Sequence, residues 1–237
     1  MWAVMRERSE VKGMPGAAAR GGHRWPVVCL SALSVLAVLT VAAATLDVFP
    51  TEVSLRQSML AWTPPDVAPL ARAVNYGGSW HVLLPASLIV FAVSPQARRR
   101  WWLWSGVLVG SATLETLLKA LIARARPEDL SSGFPSGHAT AAAAFAVIVV
   151  YLASGEGPGR PGPIALQCLV VTGAALVGLA RIELRAHWPS DVAAGWALGT
   201  AFAAGAAWWD RTSSADRSPA AGRRLEGIAL GSGTGSG

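Results

Sequence analysis

Charged residues are scarce in this chain of 237 residues. Asp, Glu, Lys and Arg make up only 14% of it, whereas hydrophobic residues make up 52% and the mean hydropathy is +0.41. A water-soluble domain needs more charge than this to cover its surface, so the composition argues against one. A membrane protein is the first expectation.

Cysteine is nearly absent as well, and Cys29 and Cys168 are its two occurrences. Both lie within apolar runs and lack metal-ligand spacing, and two cysteines are too few for a disulfide framework. We therefore expect both to be small core residues. The formal charge of +6 could suggest a nucleic-acid partner. The basic residues, however, form short clusters beside apolar runs rather than one polar face, which argues against that partner.

Long apolar runs are present, and they predict an all-α fold, namely a polytopic membrane helical bundle. A run of about 20 residues can cross a hydrocarbon layer of about 30 Å. A signal peptide is the alternative for the first run, although its apolar region is normally about 7 to 15 residues long. The run at 78–93 is weaker, because it is short and contains His81 and Pro85, and it could be a kinked span or a re-entrant segment. The predicted transmembrane helices, about six in number, are 27–46, 78–93, 101–118, 138–153, 164–180 and 192–209.

The distribution of arginine supports about six crossings. Basic residues are retained on the cytoplasmic side of a membrane, and this pattern sets the orientation. With the predicted spans, three basic clusters lie on that side, and without the second span the middle cluster would lie outside. The clusters are Arg6, Arg8, Lys12, Arg20 and Arg24; Arg98, Arg99 and Arg100; and Arg211, Arg217, Arg223 and Arg224. We expect a multi-pass protein of the plasma membrane with both termini in the cytoplasm.

Polar segments flank the predicted transmembrane domain, which covers 27–210. Residues 1–26 are basic and interrupted by Gly and Pro, and residues 211–237 are rich in Ser, Gly, Ala and Arg. Neither segment has enough apolar surface to offset the entropy lost on ordering. The composition therefore predicts a disordered basic cytoplasmic tail at 1–26 and a disordered tail at 211–237.

Five basic side chains, Arg124 and Arg185 among them, depart from this charge distribution, and two histidines join them. Lys119, Arg126 and Arg181 lie at or just beyond the ends of spans three and five, on the predicted extracytoplasmic side. His138 opens span four, and His187 precedes span six. These side chains could converge at one membrane surface, where an anionic phosphate is their natural partner. The active site is thus expected on the extracytoplasmic side.

The segment Pro135-Ser136-Gly137-His138 stands at a predicted helix start. A helix start presents free backbone N–H groups and the positive end of the helix dipole. Gly137 lets the backbone approach an oxyanion closely, and Ser136 adds a hydroxyl donor. The segment therefore predicts a phosphate cradle.

His187 and Asp191 form the second chemical pattern, four residues apart around a predicted helix start at Pro189. Asp191 could accept the proton of the His187 Nδ1 atom. The Nε2 atom would then be unprotonated and free to attack phosphorus.

These residues resemble the three signatures of the type 2 phosphatidic acid phosphatase superfamily, which also includes vanadium-dependent haloperoxidases and bacterial acid phosphatases. The matching residues are Lys119 with Arg126-Pro127, then Pro135-Ser136-Gly137-His138, then Arg181 with His187 and Asp191. The order and the internal spacing also agree. One departure is Ala180, where the family often has serine before the arginine, and we expect its effect to be modest.

The resemblance implies a membrane phosphatase that acts on a lipid phosphate through a phosphohistidine, with no metal or other cofactor. It implies that His187 attacks phosphorus, that Asp191 orients His187, and that His138 protonates the leaving oxygen. The groups that would hold the phosphate are Lys119, Arg126, Ser136, Gly137 and Arg181. The implied partners are the bilayer and a lipid such as phosphatidic acid, phosphatidylglycerol phosphate or polyprenyl diphosphate.

Two other functional classes remain as alternatives. A vanadate-binding haloperoxidase uses an equivalent cluster, but those enzymes are generally soluble and the apolar runs argue against them. A non-catalytic lipid-binding or transport protein on the same fold would have lost at least one of His138, His187 and Asp191.

Four nearby side chains are left outside the predicted site. Arg124 and Arg185 are interpreted as residues that snorkel to the membrane interface. His81 has no motif around it and is expected to be structural. Glu115 lies one helical turn before Lys119 and could pair with it, which would lower the net charge of the site.

Overall fold

The computed structural model describes residues 24–154 and 163–215 of the chain. In these residues the chain forms nine α-helices, and the predicted all-α fold is confirmed. The helices are α1 (Arg24–Leu46), α2 (Pro50–Ala61), α3 (Ala68–Tyr76), α4 (Trp80–Val93), α5 (Pro95–Arg99), α6 (Trp101–Ile122), α7 (Gly137–Ala153), α8 (Ile164–Glu183) and α9 (Pro189–Ala215). A 3-10 turn, Pro65–Val67, links α2 to α3. Within the same described ranges, the one β-pairing is an isolated bridge between Ala125 and Ser132.

Proline sets the start of three helices. Pro50, Pro95 and Pro189 are the first residues of α2, α5 and α9. Proline suits this position because an N–H at the first helical residue has no partner within the helix. The start of α9 at Pro189 agrees with the sequence prediction and places Asp191 in the first turn.

Fewer helices meet the length and hydropathy expected of a membrane span than the sequence predicts. Among the described residues, three helices are long and apolar enough to cross a membrane, namely α1, α6 and α8. Helices α3 and α4 together would add a fourth, although they are bent by 44° as in a broken span or a re-entrant loop. Helix α4, the weak candidate at 78–93, has only 14 residues and contains Pro85. The predicted count of about six is therefore approximate.

Helix α9 lies at the centre of the bundle and packs mainly against α7 and α1. Small residues allow this close approach, because a Cβ atom on Gly195 would lie 2.5 Å from the backbone oxygen of Ser136. Buried alanines continue the contact along α9, at Ala194, Ala197, Ala201, Ala203, Ala204 and Ala207. Close backbone packing of this kind is typical of helix interfaces in membranes. It fixes the start of α7 against the start of α9, where two of the sequence signatures meet.

The outer helices carry large apolar side chains that face away from the bundle, as expected for a surface in contact with lipid. Examples are Val38 on α1, Leu117 on α6 and Leu169 on α8. The two cysteines differ in this respect. Cys29 is buried, as expected, with its Sγ atom 3.6 Å from the backbone oxygen of Ala201. Cys168 is exposed on α8, so the expectation that it is a core residue is wrong.

The predicted tails are described only where they join the helices. Helix α1 begins at Arg24 and α9 continues to Ala215, so both helices extend beyond the predicted spans 27–46 and 192–209. Residues 24–26 and 211–215 of the predicted tails are therefore helical. The remaining tail residues, 1–23 and 216–237, lie outside the described residues.

Candidate active site

The first signature lies at the end of α6 and in the segment that follows it. Lys119 is in the last turn of α6, and Ala123 ends the helix with a left-handed φ of 50°. The segment then folds back on itself, because the N–H of Gly133 donates to the oxygen of Arg124 at 2.7 Å. This turn brings Arg126 to the same side as the start of α7.

The second signature forms the start of α7 and is bonded to the third. The backbone N–H of Ser136 donates to the backbone oxygen of Asp191 at 2.9 Å. The hydroxyl of Ser136 is fully buried and has no hydrogen-bond partner within the described residues. The start of α7 is thus held by main-chain atoms, while the serine hydroxyl remains available to a ligand.

Glycine is required at position 137 because another group lies very close to its backbone. That group is the carboxylate of Glu115, whereas the sequence predicted an oxyanion of the ligand. A Cβ atom at this position would lie 2.7 Å from the Oε1 atom of Glu115. That same oxygen accepts a hydrogen bond from the ammonium group of Lys119, so the predicted contact between Glu115 and Lys119 is present. The pair places one negative charge beside the cations of the site.

The third signature spans the turn between α8 and α9. Arg181 lies in the last turn of α8, and one of its terminal nitrogens donates to the Oδ1 atom of Asn75 at 3.0 Å. The buried Nε atoms of Arg181 and Arg126 have no hydrogen-bond partner within the described residues. Both guanidinium groups therefore have donors to offer to an anion.

His187 is almost fully buried beside Asp191, which is fully buried. The Nδ1 atom of His187 lies 3.4 Å from the Oδ2 atom of Asp191, longer than a typical hydrogen bond. The same oxygen also accepts the backbone N–H of Trp188 at 3.0 Å. The predicted contact is present, but it is loose, and the carboxylate has other partners.

The surroundings of His187 favour its neutral form. Burial is the largest influence, and it lowers the pKa of the imidazole below its ordinary value. The positive charges of Arg181 and Arg126 lower the pKa further, whereas the hydrogen bond and the negative charge of Asp191 raise it. A neutral imidazole is the form that can act as a nucleophile.

His138 is partly buried at the start of α7. It lies within electrostatic range of four groups, which are Arg181, His187, Lys119 and Arg126. Gly133 lies between the first and third signatures, since a Cβ atom there would be 3.0 Å from Asp191 Oδ2 and 3.1 Å from Arg126 Cγ. The structure therefore brings residues of all three signatures into one cluster.

Sequence reasoning missed three buried residues of this cluster, which are Arg124, Glu52 and Ser190. The interpretation of Arg124 as a snorkelling interface residue is wrong, because its side chain is fully buried. It donates to Asp191 Oδ1 at 2.8 Å and to the hydroxyl of Ser190 at 2.7 Å. It also forms an ion pair with Glu52 of α2. The one sequence signal was a second arginine within the first signature.

Arg185 and His81, which were also left outside the predicted site, differ from Arg124. Arg185 is exposed and pairs with Glu128 at 3.3 Å. His81 stacks against Tyr76 and Trp80, with ring centroids 5.8 Å and 3.8 Å away. In residues 24–154 and 163–215, no group of three His, Cys, Asp or Glu side chains is arranged to hold a metal ion.

The sequence matches the family model of the PAP2 superfamily over residues 100–215, which include all three signatures. It is also similar to decaprenylphosphoryl-5-phosphoribose phosphatase of Mycobacterium tuberculosis strain ATCC 25618 / H37Rv. The two are 33% identical over 147 residues, which cover 57% of this chain and 76% of the relative. The protein of the same name from strain CDC 1551 / Oshkosh gives the same values.

Two solved structures share the fold. One is a transmembrane PAP2 type phosphatidylglycerolphosphate phosphatase from Bacillus subtilis, with a TM-score of 0.67, 23% identity, and coverage of 78% of this chain and 96% of that one. The other is Aquifex aeolicus LpxE, with a TM-score of 0.52, 22% identity, and coverage of 68% and 96%. The chain therefore belongs to the PAP2 superfamily, in its membrane phosphatase branch, as its three signatures predicted.

Proposed function

We propose that this chain is an integral membrane phosphatase that hydrolyses a phosphomonoester or diphosphate of a lipid through a phosphohistidine, without a metal ion. The observation that carries the proposal is a set of buried donors beside His187. The hydroxyl of Ser136 and the Nε atoms of Arg126 and Arg181 are all buried and have no hydrogen-bond partner within the described residues. A phosphoryl group has the oxygens and the negative charge that these donors fit.

In the first step, the Nε2 atom of His187 attacks phosphorus and forms a P–N bond. The bond between phosphorus and the leaving oxygen breaks, and His138 donates a proton to that oxygen. Lys119, Arg126 and Arg181 hold the equatorial oxygens. Preorganised cations at these positions stabilise the charge of the transition state, which is the role that magnesium has in many other phosphoryl transfers.

In the second step, water attacks the phosphohistidine and the P–N bond breaks. His138, now neutral, accepts a proton from the water as phosphate forms. His187 returns to its neutral form, and the site releases inorganic phosphate. The low pKa of His187 supports this cycle, because the buried ring returns readily to the unprotonated state.

A lipid substrate is supported by a cavity of about 250 Å³ between α4, α6 and α7. Its lining is largely apolar and includes Trp80, Leu84 and Leu108, and it reaches Glu115 and Gly137 beside the cluster. A phosphate head group could lie at the start of α7 while its chain leaves sideways into the bilayer. The candidate lipids are phosphatidic acid, phosphatidylglycerol phosphate, polyprenyl diphosphate and, because of the mycobacterial relative, a polyprenyl-linked sugar phosphate.

The test is phosphate release from a panel of these lipids in detergent, measured both without and with EDTA. We compare the wild type with His187→Ala, and we use His81→Ala as the matched control because this histidine lies outside the cluster. The proposal expects activity in the wild type and the control, and a loss of at least about 1,000-fold in His187→Ala. Equal phosphate release by the wild type and His187→Ala would contradict the role of His187 as the nucleophile. Loss of wild-type activity on addition of EDTA would contradict the metal-free mechanism.

We further propose that the chain lies in the plasma membrane with both termini in the cytoplasm and the cluster on the outer side. The basic residues Arg98, Arg99 and Arg100 support this orientation. They follow the end of α4 that is farther along the chain from Trp80. An Asp66→Cys variant lacking the native cysteines should react with a membrane-impermeant maleimide in intact cells. If the variant reacts only after the cells are permeabilised, the orientation in the membrane is the opposite of the proposed one.

A further inference from the structure

Arg124 is the centre of a buried polar network behind His187. Its side chain has no exposed surface, although it follows a transmembrane helix at the membrane interface. One terminal nitrogen donates both to Asp191 Oδ1 at 2.8 Å and to the Ser190 hydroxyl at 2.7 Å. The other terminal nitrogen binds Glu52 Oε1. The guanidinium group thus connects the acid of the third signature to a different helix.

Glu52 closes this network from α2, which belongs to none of the three signatures. Its Oε2 atom accepts hydrogen bonds from the Ser190 hydroxyl at 2.5 Å and from the Ser190 backbone N–H at 3.3 Å. Its Oε1 atom also accepts the backbone N–H of Phe49 at 3.3 Å, which fixes the carboxylate at the start of α2. Glu52 is therefore held from both sides and cannot rotate freely.

Resting on the proposed role of His187, we propose that Arg124 and Glu52 are positioning residues for the nucleophile. Arg124 holds Oδ1 of Asp191, so that Oδ2 is the oxygen turned toward His187. Glu52 in turn holds Arg124 and Ser190, so that helix α2 fixes the position of the Asp191 carboxylate. Neither residue touches the phosphate in this proposal, and both act through Asp191.

The charges of the network suit the chemistry of the ring. Glu52, Arg124 and Asp191 together carry one net negative charge, buried next to an imidazole. The ring becomes positively charged when its Nε2 atom bonds to phosphorus, and one buried negative charge stabilises that state. Asp47 lies 3.8 Å from the Nε atom of Arg124, but it is exposed, so solvent screens its charge.

The network also acts among the other charged groups that face His187. These are Arg181 on α8, His138 on α7, and Arg126 and Asp129 in the segment between α6 and α7. Removing a charge from the network changes the net charge around the imidazole ring while these four groups stay in place. The midpoint of the acidic limb in the pH profile of kcat/KM reports that net charge. Every variant has to be assayed with the same lipid phosphate.

Two neutralising variants should shift the acidic limb in opposite directions. Arg124→Gln leaves two negative charges, which favours protonated His187 and moves the limb to higher pH. Glu52→Gln leaves none, which moves the limb to lower pH. We expect shifts of about one pH unit and a kcat at least about 10-fold lower in each, with KM nearly unchanged. The double variant restores one net negative charge, so its limb should return toward that of the wild type.

The control variants remove comparable charges elsewhere on the same side of the molecule. Arg72→Gln and Asp66→Asn both lie at exposed positions, and the limb and kcat should stay as in the wild type. Where Arg124→Gln does not fold because Glu52 is left buried and unpaired, Glu52→Gln and the double variant decide the question. Arg124→Lys keeps the charge but loses the branched donor, so the limb should stay and kcat should fall.

The outcomes separate this proposal from the proposed function. If His187→Ala is inactive but all network variants keep the wild-type limb and kcat, the positioning role is wrong and the phosphatase mechanism stands. A lower melting temperature with an unchanged limb and kcat would show a purely structural network and would also overturn the proposal. If His187→Ala is fully active, the proposed function itself fails.

Discussion

The two ends of helix α9 make a natural comparison, because each end carries a buried aspartate bound to an arginine. Asp191 lies in the first turn, 2.8 Å from Arg124. Asp210 lies near the last turn, and its Oδ1 atom is 3.2 Å from the Nε atom of Arg100. Judged by the ion pairs alone, the two ends are nearly equivalent.

The surroundings of the two aspartates differ. Asp210 accepts a hydrogen bond from the Tyr151 hydroxyl at 2.6 Å, and the ring of Trp104 lies 5.2 Å from that of Tyr151. Asp191 instead faces His187, and the buried hydroxyl of Ser136 lies close by without a protein partner. A buried Asp–Arg pair is therefore no sign of catalysis by itself. The imidazole and the available donors distinguish the first end from the second.

The largest effect should come from replacing each aspartate by its uncharged isostere. Asp191→Asn should lower kcat by about 100-fold to 10,000-fold, because the amide cannot orient and stabilise the imidazole in the same way. Asp210→Asn should change kcat by less than about 2-fold and lower the melting temperature instead, since it weakens a buried pair. Equal losses of kcat in the two variants, measured on folded protein in detergent, would remove the distinction between the ends.

A smaller effect should separate one hydroxyl at each end. Ser136→Ala should lower kcat/KM by about 10-fold, the cost of one hydrogen bond to the phosphate, without changing the melting temperature. Tyr151→Phe should destabilise the fold by about 1 to 3 kcal/mol, because Asp210 loses a buried donor, with kcat/KM unchanged. The comparison is wrong if the two variants exchange these effects in activity and thermal melting assays.

The smallest effect concerns pH. Burial and the charges of Arg181 and Arg126 lower the pKa of His187 from its ordinary value of 6.5. With the neutral ring as the proposed nucleophile, activity should persist below pH 6.5, and the acidic limb of kcat/KM should have its midpoint lower than that value. The pH profile should be measured with two substrates whose phosphates differ in pKa. A limb that has the same midpoint with both substrates is due to a group of the enzyme. A shared midpoint above 6.5 would contradict the neutral nucleophile.

Much of the site could be predicted from the sequence, because the residues that define it are grouped. Pro189 set the start of α9, and the four-residue spacing then placed Asp191 next to His187. The weak segment 78–93 was also found, and the expectation of a kinked span or a re-entrant segment agrees with the 44° bend between α3 and α4. Helix α4 is short and bent away from α3, and that angle depends on packing that no local pattern encodes.

The network behind His187 could not be predicted, because its members lie far apart in sequence. Glu52 and Arg124 are 72 positions apart, and Glu52 belongs to a helix of mixed polar and apolar residues that carries none of the three signatures. Arg124 taken alone is indistinguishable from an interface arginine. Its burial depends on partners that are distant in sequence, namely Glu52 on α2 and Ser190 and Asp191 on α9.

The hydrogen bond from the Ser136 N–H to the Asp191 oxygen has a practical consequence for experiments on this protein. It joins two signatures through main-chain atoms, so replacing either side chain leaves both of its partners intact. The frame of the cluster should thus persist through single substitutions at these positions. Rate changes in such variants can therefore be attributed to the lost functional group rather than to displacement of the helices that carry it.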